Sequence, residues 1–419
     1  MLFSSIFGNT LELYDFHLYG VLIGTLAKVF FPTTDLALSI MLGFVASSVG
    51  LCTRPLGAVL FGVIGDKFGR KHAFTISIFL SALPMLTIGC LPSYESIGIV
   101  APVLIITARM AQGLAYGGEY NGAAIFALEH LSKSQNRTFP GMAGGIIQSS
   151  SNIGVLLGIT AGSIVTYFNT VEWAWRVPFI LGSFIGFIGF YVRMKTTESP
   201  EFIESSAVVR NSLSFFDILK FYPKSCFVTF AFGSFVFIYS VRFLTLYMHQ
   251  YLHIPLSEAI WFNAWGSATC IIANPIFGLI SDFCDRRTYF VFAIIGVLIT
   301  SPLIFELLKN KTTLSIITSQ ILVGLSYSCI LGPQHAFLQS LFPVEGRYRG
   351  VTINFCLGNA LFGSIAPIAM IFLLDKTGNI NTSIIFLALS STLLIVALIN
   401  LGQPTNKLKK FDEFRKNLQ

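Results

Sequence analysis

The chain has 419 residues, of which 54% are hydrophobic and only 11% charged, and its mean hydropathy is +0.73. A soluble domain of this length cannot bury so much apolar side chain in its own core, so the composition excludes a soluble globular protein and implies an integral membrane protein. The formal charge of +7 does not point to a nucleic-acid partner, because the basic residues are spread among short loops beside apolar runs, where topology and anionic lipid account for them.

A bilayer core needs about 20 apolar residues per helix. Runs of that kind predict spans near 5–31, 38–64, 73–91, 98–128, 140–167, 176–194, 225–250, 259–280, 289–307, 313–340, 350–373 and 382–402, twelve helices in an all-α fold. The fourth and tenth runs have room for interfacial turns. The first run starts without a basic leader region or a small-residue cleavage site, so it reads as a retained transmembrane helix rather than a signal peptide. Seven cysteines without CxxC spacing suggest neither a disulfide framework nor a metal site.

With the N-terminus inside, Lys67, Arg70, Lys71, Lys133, Arg137, Arg193, Lys195, Arg210, Lys220, Lys224, Arg286, Arg287, Arg347, Arg349 and the basic tail share one side. Only Lys28, Arg176, Lys309, Lys311 and Lys376 fall on the other. That asymmetry predicts cytoplasmic termini. The longest polar interruption divides the chain into a six-helix half (1–195), a linker (196–224), a second six-helix half (225–402) and a short basic tail (403–419). The linker's mixed charge reads as a solvated face with a short amphipathic portion.

Both halves carry a related loop. GVIGDKFGRK (62–71) follows the second helix and GLISDFCDRR (278–287) the eighth, each with a glycine, an aspartate four residues later and a terminal basic pair. A repeated six-helix unit points to a transporter built from two halves around a midplane site. The glycines Gly62, Gly65 and Gly69 permit close packing and turning, Asp66 can interact with a helix N-terminus, and Arg70 and Lys71 can pair with surface acids.

GVIGDKFGRK resembles the loop signature of the major facilitator superfamily. GNTLELYDFHLYG (8–20), RPLGAVLFG (54–62), RMAQGLAYGGEYNGA (109–123), WRVPFILG (175–182), ESPEF (198–202) and LFPVEGRYRGVTINFCLGNALFGSIAP (341–367) resemble its metabolite/proton symporters, typified by proline/betaine transporters. The resemblance implies a secondary transporter, not an enzyme, that takes up a small organic solute with protons and uses no cofactor. It also implies that Gly62, Gly65, Asp66, Gly69, Arg70, Lys71, Asp282, Arg286 and Arg287 form a latch between the halves. A proline- or betaine-like zwitterion is the expected solute; a di- or tricarboxylate, or solute sensing without transport, are the alternatives. A single chain suffices for the fold. Leu13, Asp285, Arg242 and His249 depart from the family pattern, and the 17-residue tail has no heptad series of the kind found in osmosensing members.

Glu12 and Asp15 stand three residues apart on one face of the first helix, with Tyr19 one turn on. A charge at membrane depth costs at least ~2.5–3.5 kcal/mol, so these acids either face a cavity or a partner, or sit near the cytoplasmic surface. Arg54, about 18 Å above the end of its helix, can be level with Asp15. Arg109 shares a stripe with Gln112, Tyr116 and Tyr120, with Glu119 at its edge. Ion pairs that merely orient helices compete with a role in coupling or recognition. By resemblance, Glu12, Asp15, Arg109 and Glu119, with Arg54 as a candidate cation, are the coupling and substrate residues. Gln148, Asn152, Arg242 and His335 are further polar positions that can line a cavity. Gly154, Gly158 and Gly162 permit a close helix contact, and Trp173, Trp175, Trp261 and Trp265 are expected in an interfacial aromatic belt.

Overall fold

The computed structural model describes residues 2–131, 138–167, 172–208, 213–235, 241–378 and 384–401. Lys133, Arg137, Arg210 and the tail 403–419 lie outside these residues, as does the side chain of Arg242.

The first apolar run forms two helices, α1 (Leu2–Val21) and α2 (Ile23–Phe30), interrupted at Leu22. Then come α3 (Leu36–Lys67), α4 (Arg70–Cys90), the single turn α5 (Tyr94–Ile97), α6 (Val100–Leu131), α7 (Pro140–Tyr167) and α8 (Arg176–Met194). The polar stretch that follows holds α9 (Pro200–Val208) and α10 (Phe215–Phe221). Beyond it lie α11 (Pro223–Phe235), α12 (Val241–Gln250), α13 (Leu256–Asp282), α14 (Arg286–Lys309), α15 (Thr313–Ser340), α16 (Arg347–Thr377) and α17 (Ile384–Asn400).

Among the described residues, eight helices are long and apolar enough to cross a membrane: α3, α4, α6, α7, α8, α13, α14 and α15. Of the other runs expected to span, the first is interrupted at Leu22 and the last forms the 17-residue α17. The fourth run contains its turn, where Gly98 adopts φ +59° before α6, whereas the tenth is one continuous helix with Pro333 inside it. Large apolar side chains such as Leu56, Leu60, Leu157, Phe184, Ile272 and Ile299 point outward, as they do in a helix bundle whose solvent is lipid.

Two apolar cores organise the bundle. One is built from α1, α2, α4, α6 and α8 around Leu18, Leu26, Phe30, Ile78, Met85 and Phe179. The other, apart from Ile125, draws on residues from 213 onward, with Phe232, Phe290, Ile294, Phe305 and Phe337 at its centre. Contact between the two groups runs mainly through α7 against α13 and α15, and α3 against α16.

Glycine sets the closeness of these contacts. A Cβ at Gly57 or Gly117 would collide with the facing backbone of α6 or α3, at Gly145 with that of α13, and at Gly154 or Gly158 with Thr10 and Tyr14 of α1. Small residues let backbones touch where no hydrophobic drive from water is available.

Trp175 departs from the expected aromatic belt. It is only 2% exposed and packs edge-on between Phe30 and Phe179, whereas Trp173, Trp261 and Trp265 point outward. The chain turns into α8 at Trp175, which draws the ring into the first core.

Candidate functional site

The buried face of α1 presents Glu12 and Asp15, 1% and 0% exposed. Each meets one arginine, but not in the expected arrangement. Arg54 of α3 pairs with Glu12 at 2.9 Å, while Arg109 of α6 grips Asp15 Oδ2 through Nη1 at 2.6 Å. Close packing of α3 on α6 at Gly50, Thr53 and Gly113 determines this register, because Thr53 donates to the Met110 carbonyl beside Arg109.

Aromatic rings complete the cluster. The Arg109 guanidinium lies over the Tyr19 ring at 4.0 Å, and that of Arg54 lies 5.6 Å from the Tyr116 ring centre. Tyr116 donates to Asp15 Oδ2 at 3.4 Å, and Tyr19 to the Gly43 carbonyl.

The pairing is incomplete on every member. Glu12 Oε2, Asp15 Oδ1, Arg54 Nε, Arg109 Nε and Nη2, and both amide atoms of Gln112 are buried without a hydrogen-bond partner. Asn9, one turn before Glu12 on α1, is 0% exposed with both amide atoms in the same condition. Buried polar groups normally have partners, and leaving one unpaired costs ~1–3 kcal/mol. This dense set of unpartnered groups marks the face of α1 and its arginines as the candidate site.

Glu119 pairs outside this cluster. It stands ten residues along α6 from Arg109, about 15 Å of helical rise, and faces α8 and α4. Both of its oxygens are engaged, by the Arg193 guanidinium and by Ser77 Oγ. Arg193, expected among cytoplasmic loop cations, is instead fully buried against the Phe74 ring and carbonyl. A side chain at Gly8 would strike this pair, which is why the motif GNTLELYDF begins with glycine.

Toward the second group of helices, Gln148 Oε1 of α7 accepts from Tyr120 at 2.7 Å and contacts His335 Nε2 of α15 at 3.2 Å. Tyr120 stacks on Phe355 and leans on the His335 ring. Asn152 Nδ2 bonds back to the Gln148 carbonyl on its own helix. His249 is exposed and contacts the Ile254 carbonyl.

The two repeated loops make matching contacts at one end of the bundle. Asp66 accepts from the backbone N–H groups of Tyr348 and Arg349, in the first turn of α16, at 3.3 and 3.1 Å. Asp282 accepts from the N–H groups of Gly141 and Met142, the first turn of α7, at 2.8 and 3.0 Å. Each carboxylate thus caps an N-terminus across the boundary between the two cores, where the helix dipole and unpaired N–H groups favour negative charge. Gly62 faces Arg349, and Gly65 faces the Tyr348 ring, with no room for a Cβ at Gly65.

Arg70 and Lys71 were expected to meet acids on the surface, yet Arg70 is fully buried. It binds Asp66 at 3.0 Å, the Gly65 carbonyl at 2.6 Å, the Val344 carbonyl and the Glu129 carboxylate. Glu129 also pairs with Arg347 at 2.9 Å, and Arg347 with Glu201 at 2.5 Å. At Gly69, φ is +108°, and Glu198 reaches the start of α4 there to accept from Lys71 N–H at 3.0 Å. The linker's charges are therefore not simply solvated: Ser199 is fully buried and donates to Glu129. In the second loop, Arg286 pairs with Asp282 at 2.7 Å, Arg287 donates to the Leu398 carbonyl, and Asp285 caps α14 through Thr288 N–H. That bond holds the Asp285 carboxyl below its usual range.

Arg193, Ser77, Glu129, Asn9 and Glu198 are the contacts that sequence reasoning missed. Arg193 after a long apolar run, Glu129 ending one, and Asn9 three residues before Glu12 were the available signals.

Comparison with known proteins identifies the family. Residues 1–211 match the family described as "Sugar (and other) transporter", and residues 225–417 match "Major Facilitator Superfamily". The chain is 32% identical to a Staphylococcus aureus (strain COL) protein named "Putative proline/betaine transporter", over 96% of this chain and 88% of that one. It is 26% identical to the "Proline/betaine transporter" of Escherichia coli (strain K12), over 96% and 82%. Among solved structures, the proton:xylose symporter XylE bound to 6-bromo-6-deoxy-D-glucose superimposes with a TM-score of 0.74 at 13% identity, covering 95% of this chain and 94% of that one. The partially occluded inward-open form of XylE from E. coli gives 0.67 at 13% identity, covering 95% of each.

The chain belongs to the major facilitator superfamily, a class of multi-pass membrane transporters and not of enzymes. Within that class its relatives group it with the metabolite/proton symporters typified by proline/betaine transporters.

Proposed function

We propose that this chain takes up a small zwitterion of the proline/betaine kind together with protons, by alternating access. The observation that carries the reading is Arg109, which is 5% exposed and spends one terminal nitrogen on Asp15 while Nε and Nη2 have no partner. A guanidinium presenting two adjacent N–H groups is the donor set that a carboxylate binds in bidentate fashion. Glu12 and Asp15 each keep one unpartnered oxygen, where a coupling proton can rest.

In this reading residues 1–195 and 225–402 are the two halves, with 196–224 linking them and 403–419 as tail. The change from one family match to the other, between 211 and 225, supports that division. Asp66 and Asp282 with their partners act as the latch of the outward-facing state, since their cross-boundary bonds must part for that end to open. The protein sits in the plasma (inner) membrane with both termini cytoplasmic and works as a monomer, with protons as coupling ion and no other cofactor. The asymmetry of loop charge supports the orientation.

The test is uptake of labelled proline, glycine betaine, 2-oxoglutarate and citrate into proteoliposomes, with and without an inward proton gradient. Gradient-driven uptake of a zwitterion is expected. Uptake confined to the polycarboxylates, or indifferent to the gradient, would overturn the proposal.

A further inference from the structure

Resting on the proposed zwitterion site, we infer that the solute must carry N–H groups on its cationic end, so that a secondary or primary ammonium is selected over a quaternary one. Two independent observations carry this.

The first is the character of the unpartnered atoms. On the same face of α1 whose Asp15 pairs with Arg109 are two free acceptors, Glu12 Oε2 and Asp15 Oδ1, on residues 1% and 0% exposed. A zwitterion that places its carboxylate on Arg109 brings its ammonium toward these oxygens. One of them can hold the coupling proton and still leave the other facing the ammonium. A carboxylate oxygen buried away from water needs a donor, and a trimethylammonium group has none to give. A site built to hydrogen-bond an N–H group discriminates strongly against an analogue without it, because its own polar atoms then stay unpaired.

The second is the state of the aromatic rings. A quaternary ammonium is held by open aromatic faces through cation–π attraction. Here Tyr19 is fully buried with Arg109 over its ring, and Tyr116 is 5% exposed with Arg54 as its cation. Tyr120 is stacked on Phe355 and packed against His335. On each of these three rings the protein's own cations or rings already cover a face that a trimethylammonium would use.

The experiment uses the full-length protein in proteoliposomes with an inward proton gradient. Labelled proline uptake is competed by unlabelled proline, N-methylproline and N,N-dimethylproline, which share one ring and carboxylate but offer two, one and no N–H groups. Inhibition should weaken along the series, with the half-inhibiting concentration rising roughly tenfold at the loss of the last N–H. Glycine betaine should fall with the dimethyl compound. Equal inhibition by all three would overturn the inference while leaving zwitterion transport intact. Failure of proline itself to enter or compete would remove the site reading and this inference together.

Discussion

Asp15 on α1 and Glu119 on α6 are both buried acids facing a buried arginine, yet they differ in how completely they are used. Glu119 gives both oxygens to Arg193 and Ser77 inside a single helix group. Asp15 gives one oxygen to Arg109 and Tyr116 and keeps the other free, and Glu12 does the same with Arg54. Asp66 resembles Glu119 in this respect, since its two oxygens are divided among Arg70, Tyr348 N–H and Arg349 N–H. Burial and charge therefore do not separate a site that binds from one that holds structure. The two acids differ in polar satisfaction, and the proposal rests on that difference: a filled set of contacts resists change, whereas an unfilled one has room for a ligand or a proton.

Substitutions should break the two kinds of site differently. Removing the guanidinium in Arg109→Ala should abolish uptake, by a hundredfold or more, while leaving the protein inserted, because it withdraws the fork beside Asp15, a carboxyl that can neutralise by taking up a proton; uptake normalised to protein in the membrane measures this. Glu119→Gln should act instead on stability. Leaving Arg193 buried without its counter-charge costs ~3–5 kcal/mol, so thermal unfolding in detergent should come markedly earlier, and the paired change Glu119→Leu with Arg193→Met should recover much of the loss. If Glu119→Gln kept full stability and lost only proton dependence, the comparison would fail and Glu119 would rejoin the coupling acids.

Smaller effects belong to the two caps. Asp66→Asn should slow transport severalfold and raise the accessibility of the clasped end to a water-soluble thiol reagent at an engineered cysteine, more than Asp282→Asn does. The difference follows from their settings: Arg70 beside Asp66 is fully buried, whereas the Arg286 side chain beside Asp282 is 24% exposed. The smallest change is expected at Asp285→Ala, which removes one N-cap and costs about 1 kcal/mol. The Asp285 carboxyl is held low in the folded state by Thr288 N–H. Its contribution is therefore present above the ordinary carboxylate pKa, near 3.9, and fades as the pH falls through the folded value. Melting curves of the two proteins should differ at neutral pH and converge in acid.

Much of the architecture was legible because membrane depth fixes helix length. The expected spans 140–167, 176–194 and 313–340 coincide with α7, α8 and α15. What escaped was decided by tertiary contact. The break at Leu22 lies between Gly20 and Gly24, a signal that a reading of one continuous span passes over. Glu12, Asp15, Arg54 and Arg109 were visible as charges in apolar sequence, but their pairing depends on how α3 sits against α6, which no spacing within one helix reveals. Arg193 looked like a loop cation because it ends a helix; only the contact with Glu119, 74 positions earlier, shows that it points inward. The linker motif ESPEF read as solvated for the same reason, since Glu198 and Ser199 find their partners on α4 and α6.

The most direct test of the account follows protons rather than solute. In weakly buffered proteoliposomes without an imposed gradient, adding external proline should alkalinise the medium as protons enter with it. Glu12→Gln and Asp15→Asn should lose that signal, whereas a Glu119→Gln protein that remains folded should keep it. Proline entry without proton movement, or proton entry that survives both substitutions on α1, would contradict the claim that the unfilled acids couple transport.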